Sequence, residues 1–209
     1  MIDVDHQISA VRRAVGDRTL EAGEARVVTI SQSYGIDAAD LWDACTNIDR
    51  IPRWFLPITG DLRVGGTYQL DGNANGTILT CDPPREFTAT WECGDQVSWI
   101  EVRIIGEGAD RSRFELDHIV PVDDHWEQFG PGATGMGYDG ALIGLTMHFA
   151  TGAAVDPTDG QEWMASEDGR RFVKLSGEAW YEANLASGAD AGWAREAADR
   201  CVAAYLGEN

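Results

Sequence analysis

Few residues of this 209-residue chain are typed and spaced for chemistry, and His118 leads them. It lies in the run Phe114-Glu115-Leu116-Asp117-His118-Ile119-Val120, where Phe114, Leu116, His118 and Val120 recur at a period of two. That alternation places His118 on the apolar face of a strand and Asp117 on the opposite face. Burial disfavours a charged ring, so His118 is expected to be neutral at pH 7, with one nitrogen donating and the other accepting. Such a ring either satisfies hydrogen bonds of the core or anchors a ligand's carbonyl or hydroxyl. It could also act as a general acid or base with Tyr138. Asp117, facing away, is a poor partner for it.

The remaining reactive residues do not assemble by spacing. His125 and His148 complete no triad and no metal set, and His6 stands apart in the N-terminal segment. Cys45, Cys81, Cys93 and Cys201 have no metal-type spacing; Cys81 and Cys93 could face each other across neighbouring strands, but reduced core thiols of a cytoplasmic protein are the preferred reading. No G-x-S-x-G occurs. Gly130, Gly132, Gly135 and Gly137 follow neither a Walker nor a Rossmann pattern, and are expected to bring the chain close to a cavity mouth or to act as a hinge. No metal, nucleotide or other cofactor is therefore expected.

Charge narrows the partners further. The net charge is −19, with Lys174 the single lysine among 16 basic residues. Such a surface repels phosphate backbones and anionic lipid, so neither nucleic acid nor membrane is an expected partner. The N-terminus reads as no signal peptide, and no run approaches the roughly 20 apolar residues of a spanning helix.

The elements that must position His118 are organised around Leu41 to Tyr68. Asp37 reads as the N-cap of a short helix carrying Leu41 and Trp42, Pro52 cannot continue that helix so a second short helix or turn starts near Asn47, and Gly65-Gly66 precede a strand from Thr67. Residues 3–15 are expected to be helical, 16–23 a linker, and Arg26 to Tyr34 the first strand. Thr67–Leu70, Thr77–Cys81, Phe87–Cys93, Val97–Ile105 and Arg113–Val120 follow as strands at hairpin spacing. A glycine-rich loop holding Trp126 and Phe129 leads to a helix over 137–150, striped by Tyr138, Ala141, Leu142, Leu145 and Phe149. Two tail helices are expected over 176–186 and 190–205, capped by Ser176 and Asp190 and stopped by Gly188 and Gly207. The order gives an α+β fold.

Several of these pieces carry a resemblance. Trp42, Arg53-Trp54-Phe55, Pro57, Leu62-Arg63-Val64-Gly65-Gly66, Gly76-Thr77-Ile78-Leu79 with Pro83-Pro84, Trp91, Phe114 to His118, and Gly137 to Leu142 follow in the order of a known family. Together they resemble the activator-of-heat-shock-protein-90-ATPase-like branch of the START-like (SRPBCC) superfamily. The resemblance implies a helix-grip fold, a curved antiparallel sheet wrapped around a long C-terminal helix, with a helical C-terminal extension. The domains would be 1–23 (N-terminal helix and linker), 24–152 (START-like) and 153–209 (extension). It also implies a ligand cavity between sheet and helix, lined by Trp54, Phe55, Tyr68, Trp91, Phe114, His118, Met136 and Tyr138.

Three functions follow as expectations. The first is a module that binds a small apolar or aromatic molecule. The second is an enzyme of the polyketide-cyclase or hydrolase kind, using His118 and Tyr138. The third is a cochaperone-like protein-binding surface. The apolar tail helices must dock on the core or on a second subunit, which would make a homodimer.

Overall fold

The computed structural model describes residues 2–21, 23–154 and 156–208. Its described residues form eight strands and seven α-helices, the α+β class expected. In chain order these are α1 (Val4–Ala10), β1 (Val11–Leu20), β2 (Gly23–Tyr34), α2 (Ala38–Thr46), β3 (Ile58–Gly60), β4 (Thr67–Leu70), β5 (Asn75–Asp82), β6 (Glu86–Cys93), β7 (Gln96–Gly106) and β8 (Ser112–Pro121), then α3 (Asp124–Phe129), α4 (Gly132–Thr151), α5 (Pro157–Ala165), α6 (Glu167–Ala186) and α7 (Ala191–Leu206). The strands join in the order β1-β2-β8-β7-β6-β5-β4-β3. Each neighbouring pair from β8 to β3 is antiparallel. No described helix is long and apolar enough to cross a membrane.

The chain divides into two compact units, one of Met1–Ile30, Val120–Ile143 and Asp156–Asn209, the other of Ser31–Ile119 and Gly144–Val155. In the second unit, Asp37 caps α2 by accepting from the Asp40 amide at 2.9 Å, as its sequence position requires. Pro52 then sits in a single 3-10 turn, Ile51–Arg53. From there the Trp54 indole donates back to the Ala44 carbonyl at 2.9 Å. In β4, Tyr68 and Leu70 are buried and Thr67 and Gln69 exposed. Gly65 takes a φ of 80°, which admits glycine readily and other residues poorly. The second half of α4 lies against Trp54: a Cβ on Gly144 would sit 2.1 Å from the Trp54 carbonyl oxygen.

In the first unit, α6 packs on α1 and β1, and α7 packs on α3 and α6. Asp3, Ser166 and Asp190 cap α1, α6 and α7 through their side-chain oxygens. Gly207 ends α7 in the left-handed conformation expected of a C-terminal glycine. The first half of α4 is held by glycines: a Cβ on Gly135 would lie 2.2 Å from the Trp180 ring, and one on Gly132 would lie 2.9 Å from the Cys201 sulfur.

Four expectations are corrected. The linker at 16–23 is largely β1, and the helix before it stops at Ala10. Val11 and Val15, at helical spacing with Ile8, are equally compatible with a period of two, and the strand pairing decides between them. The glycine-rich loop is instead α3 and the start of α4, five residues earlier than expected, because those glycines make room for tail helices. Ser176 is a buried residue inside α6, whose cap is Ser166. Cys81 and Cys93 are free but exposed, since both lie at strand ends beside turns. The short edge strand β3 has no counterpart among the expected strands.

Candidate functional site

Within the second unit, β6, β7 and β8 bring His118 into a defined setting. Val102 opposes Leu116, Ile104 opposes Phe114, and Ile100 opposes His118, so β8 presents Phe114, Leu116 and His118 on one buried face. His118 is 2% exposed. Its Nε2 lies 2.7 Å from the Ser98 hydroxyl, which itself donates to the Trp91 carbonyl at 3.0 Å. The serine proton is thus committed to a carbonyl, and the imidazole Nε2 must carry the hydrogen that the serine oxygen accepts. Burial pushes the ring's pKa down to about 4, so it is neutral at pH 7. The Trp91 ring stands 5.9 Å away, tilted to the imidazole. This is one polar spot set in an apolar face, and it does not activate Ser98, whose proton points away from the histidine.

Asp117 lies on the other face, where Arg103 also binds Glu115 and Glu101. The alternation argument against a His118–Asp117 pair holds.

The other expected site residues divide into groups. Trp54 and Phe55 stack on each other at 5.5 Å and are half-buried. Tyr68 is buried and donates to the Thr90 carbonyl at 2.7 Å. Phe114 is buried on the His118 face of β8. Met136 and Tyr138 are buried on the first half of α4, in the first unit. Met136 reaches the α6 backbone where Gly177 leaves space, its terminal carbon 3.9 Å from where a Cβ would lie.

Ser98 was not anticipated, because a serine on a strand carries no signal until its cross-strand neighbour is known. Gln32 and Tyr34 on β2 are further buried polar residues of the second unit. Gln32 Nε2 donates to the Thr146 hydroxyl at 3.1 Å, and the Tyr34 ring is 5.4 Å from that of Phe149. Burial drives the Tyr34 phenol upward and pushes the Cys45 thiol up to about 12, so neither ionises near neutrality. His148 is tied down at both nitrogens. Its Nε2 lies 3.4 Å from Arg50 Nη2 and its Nδ1 3.2 Å from the Ala153 carbonyl. Arginine has no lone pair, so Nε2 accepts and Nδ1 donates. Arg50 in turn binds Asp40 at 2.6 Å and Asp43 at 2.9 Å, which holds the Asp43 carboxyl below its ordinary value.

The first unit holds the most deeply buried charge among its described residues. Asp139 is 1% exposed and accepts from Arg13 Nη2 at 2.8 Å, from Ser176 Oγ at 2.6 Å and from Trp180 Nε1 at 3.0 Å. Arg13 also donates to the carbonyls of Ile8 and Val11, both at 3.1 Å. Burial raises the Asp139 carboxyl, while the Arg13 charge and these donors oppose that rise. Every polar atom of this pair has a partner inside the fold, which makes it a structural tie between β1, α4 and α6.

Comparison with known proteins places this geometry. A family model described as activator of Hsp90 ATPase homolog 1-like protein matches residues 36–128. The crystal structure of CalU16 from Micromonospora echinospora is 36% identical, with 83% of this chain and 98% of that one covered, at a TM-score of 0.68. The solution structure of CalU16 gives a TM-score of 0.71 at 35% identity, covering 85% of this chain and 97% of that one. DynU16, from the dynemicin biosynthetic locus, shares the fold at 16% identity and a TM-score of 0.55, over 61% of this chain and 48% of its own. No curated protein matches.

Proposed function

The chain belongs to the activator of Hsp90 ATPase homolog 1-like branch of the START-like (SRPBCC) superfamily, and from that premise we propose that it binds a small apolar or aromatic molecule. The observation that carries this reading is the buried, neutral His118, held by Ser98 on a face otherwise made of Phe114, Leu116 and Ile100. Small-molecule sites are typically apolar surfaces with very few placed polar groups, and this face has that composition. The ligand class is an aromatic or alicyclic skeleton bearing one carbonyl or hydroxyl. The Trp91 ring stands beside the polar spot.

Binding is favoured over catalysis because Ser98 spends its proton on the Trp91 carbonyl and His118 has lost its basicity to burial. A general base is most effective with a pKa near the working pH, and about 4 is far below it. Native mass spectrometry of the protein purified without added ligand should show a non-covalent adduct of a few hundred daltons, an order of magnitude set by the usual size of such sites. Calorimetry with the identified molecule should then show His118→Phe binding about 5- to 100-fold more weakly, the equivalent of one lost buried hydrogen bond. Absence of any adduct would sink the proposal, and so would an identified molecule that binds the His118→Phe variant as tightly as the parent.

A further inference from the structure

The outward face of β3 to β6 carries a row of polar side chains in register. Thr59 opposes Gln69, Gln69 opposes Asn75, and Asn75 opposes Glu92. Thr67 and Thr77 form a second pair beside it. With strands about 4.8 Å apart, the four-strand row is about 15 Å long. These six residues line a groove of about 370 Å³, a volume within the range of small-molecule sites.

The hydrogen bonds along the row decide its chemistry. Gln69 Nε2 donates to the Leu70 carbonyl at 2.8 Å and the Ala74 carbonyl at 3.3 Å. Asn75 Nδ2 donates to Glu92 Oε2 at 3.1 Å, and the Thr90 hydroxyl donates to Glu92 Oε1 at 2.8 Å. Both Gln69 amide hydrogens and one of the two on Asn75 are therefore spent within the protein. What the row presents is the Gln69 and Asn75 amide oxygens, the Glu92 carboxylate and the threonine hydroxyls. No arginine, lysine or histidine lines the groove, and neutral donors hold Glu92 in place. The net charge of −19 adds a field that gathers cations.

We propose that this groove is a second ligand site, on the opposite side of the strands from the His118 face, and that it takes a protonated amine bearing further O–H or N–H donors. The ammonium group pairs with Glu92, and the remaining donors meet the Gln69 and Asn75 oxygens. A divalent metal is a poorer match, since hard cations seek six or more oxygens and this row supplies a single carboxylate. The proposal stands independently of the ligand assigned to the His118 face.

The test uses glucosamine and N-acetylglucosamine as probes of the full chain, followed by backbone amide shifts in NMR. Glucosamine should shift the amides of Thr59, Thr67, Gln69, Asn75, Thr77 and Glu92 saturably. N-acetylglucosamine, which lacks the charge, should bind about tenfold or more weakly, because charge-assisted hydrogen bonds are roughly twice as strong as neutral ones. Glu92→Gln should lose the preference for the amine while keeping its melting curve. Thr67→Val, which leaves Glu92 and its donors untouched, should weaken glucosamine without abolishing the preference. The proposal is overturned if shifts are absent or centred elsewhere, if both sugars bind alike, if calcium chloride competes at lower concentration than glucosamine, or if a folded Glu92→Gln protein binds as the parent does.

Discussion

The Ser98 hydroxyl, 2.7 Å from His118 Nε2, fixes which nitrogen of a buried imidazole carries its proton. It does so because its own hydrogen is committed to the Trp91 carbonyl, a tie between β6 and β7 that leaves only a lone pair facing the ring. The arrangement holds for the neutral ring, and protonation would place a charge on a desolvated, apolar face.

The stability of the protein should accordingly fall with pH through a window set by His118. Its value is depressed from 6.5 to about 4 on folding, so between those limits the unfolded chain binds the extra proton and the folded chain does not. The contribution is fully present above pH 6.5 and is lost as pH drops toward 4, about 3 kcal/mol in all at 1.36 kcal/mol per pKa unit. Urea unfolding at pH 7 and pH 5 should show a smaller loss for His118→Phe than for the parent. Equal losses in the two proteins would mean that the ring is not the titrating group.

Asp139 and Arg13 should behave as a pair in which each makes the other tolerable. Their side chains are 1% and 6% exposed, and the carboxylate also serves Ser176 and Trp180. Asp139→Asn leaves a buried guanidinium without its counter-charge and should cost about 3 to 5 kcal/mol. The double variant Arg13→Met, Asp139→Asn should be more stable than the sum of the two single losses predicts. Chemical denaturation of the three variants measures that coupling, and strict additivity would argue that the charges do not interact.

How legible these sites were depended on whether the signal was local. Strand alternation placed His118 inward and Asp117 outward, and caps such as Asp37 and Asp190 could be read from their own segments. Ser98, twenty residues from His118, and Arg13, 126 residues from Asp139, became visible only through tertiary pairing. An acid at position 139 on an apolar helix face was a clue to a buried partner, but nothing in the chain said which basic residue answers it. The glycines before Tyr138 were misread for a related reason. Their composition suggests a loop, and only the rings and sulfur packed against them explain a helix.

Those glycines give a steric prediction. Alanine normally stabilises a helix interior over glycine by about 1 kcal/mol, yet both Gly135 and Gly144 lack room for a methyl group. At Gly144 the obstacle is the Trp54 backbone carbonyl, 2.1 Å away, which cannot rotate aside. At Gly135 it is the indole of the fully buried Trp180. Each Gly→Ala change should destabilise by about 1 to 3 kcal/mol, the usual cost of overpacking. Gly140, with open space around it, is the control and should gain stability on the same substitution. Thermal melts of the three variants settle the matter, and a gain at Gly135 or Gly144 would contradict the packing described.

The helical tail should prove inseparable from the first half of α4. Phe172, Val173, Trp180, Ala194, Ala197 and Cys201 are buried on α6 and α7, and isolated amphipathic helices of this length are marginal in water. Ending the chain after Thr151 would strip Asp139 of the Ser176 and Trp180 donors and uncover Met136, Gly135 and Gly132. Exposed apolar surface of that kind promotes association. The truncated protein should melt lower and aggregate with rising concentration, as followed by light scattering on a sizing column. Trp180→Ala in the full chain separates packing from length: it keeps every helix, opens a cavity beside Gly135, and should cost about 3 to 5 kcal/mol. A monodisperse truncation with the parent melting temperature would show that the tail contributes nothing to this unit. A Trp180→Ala protein of unchanged stability would show that the indole is not its keystone.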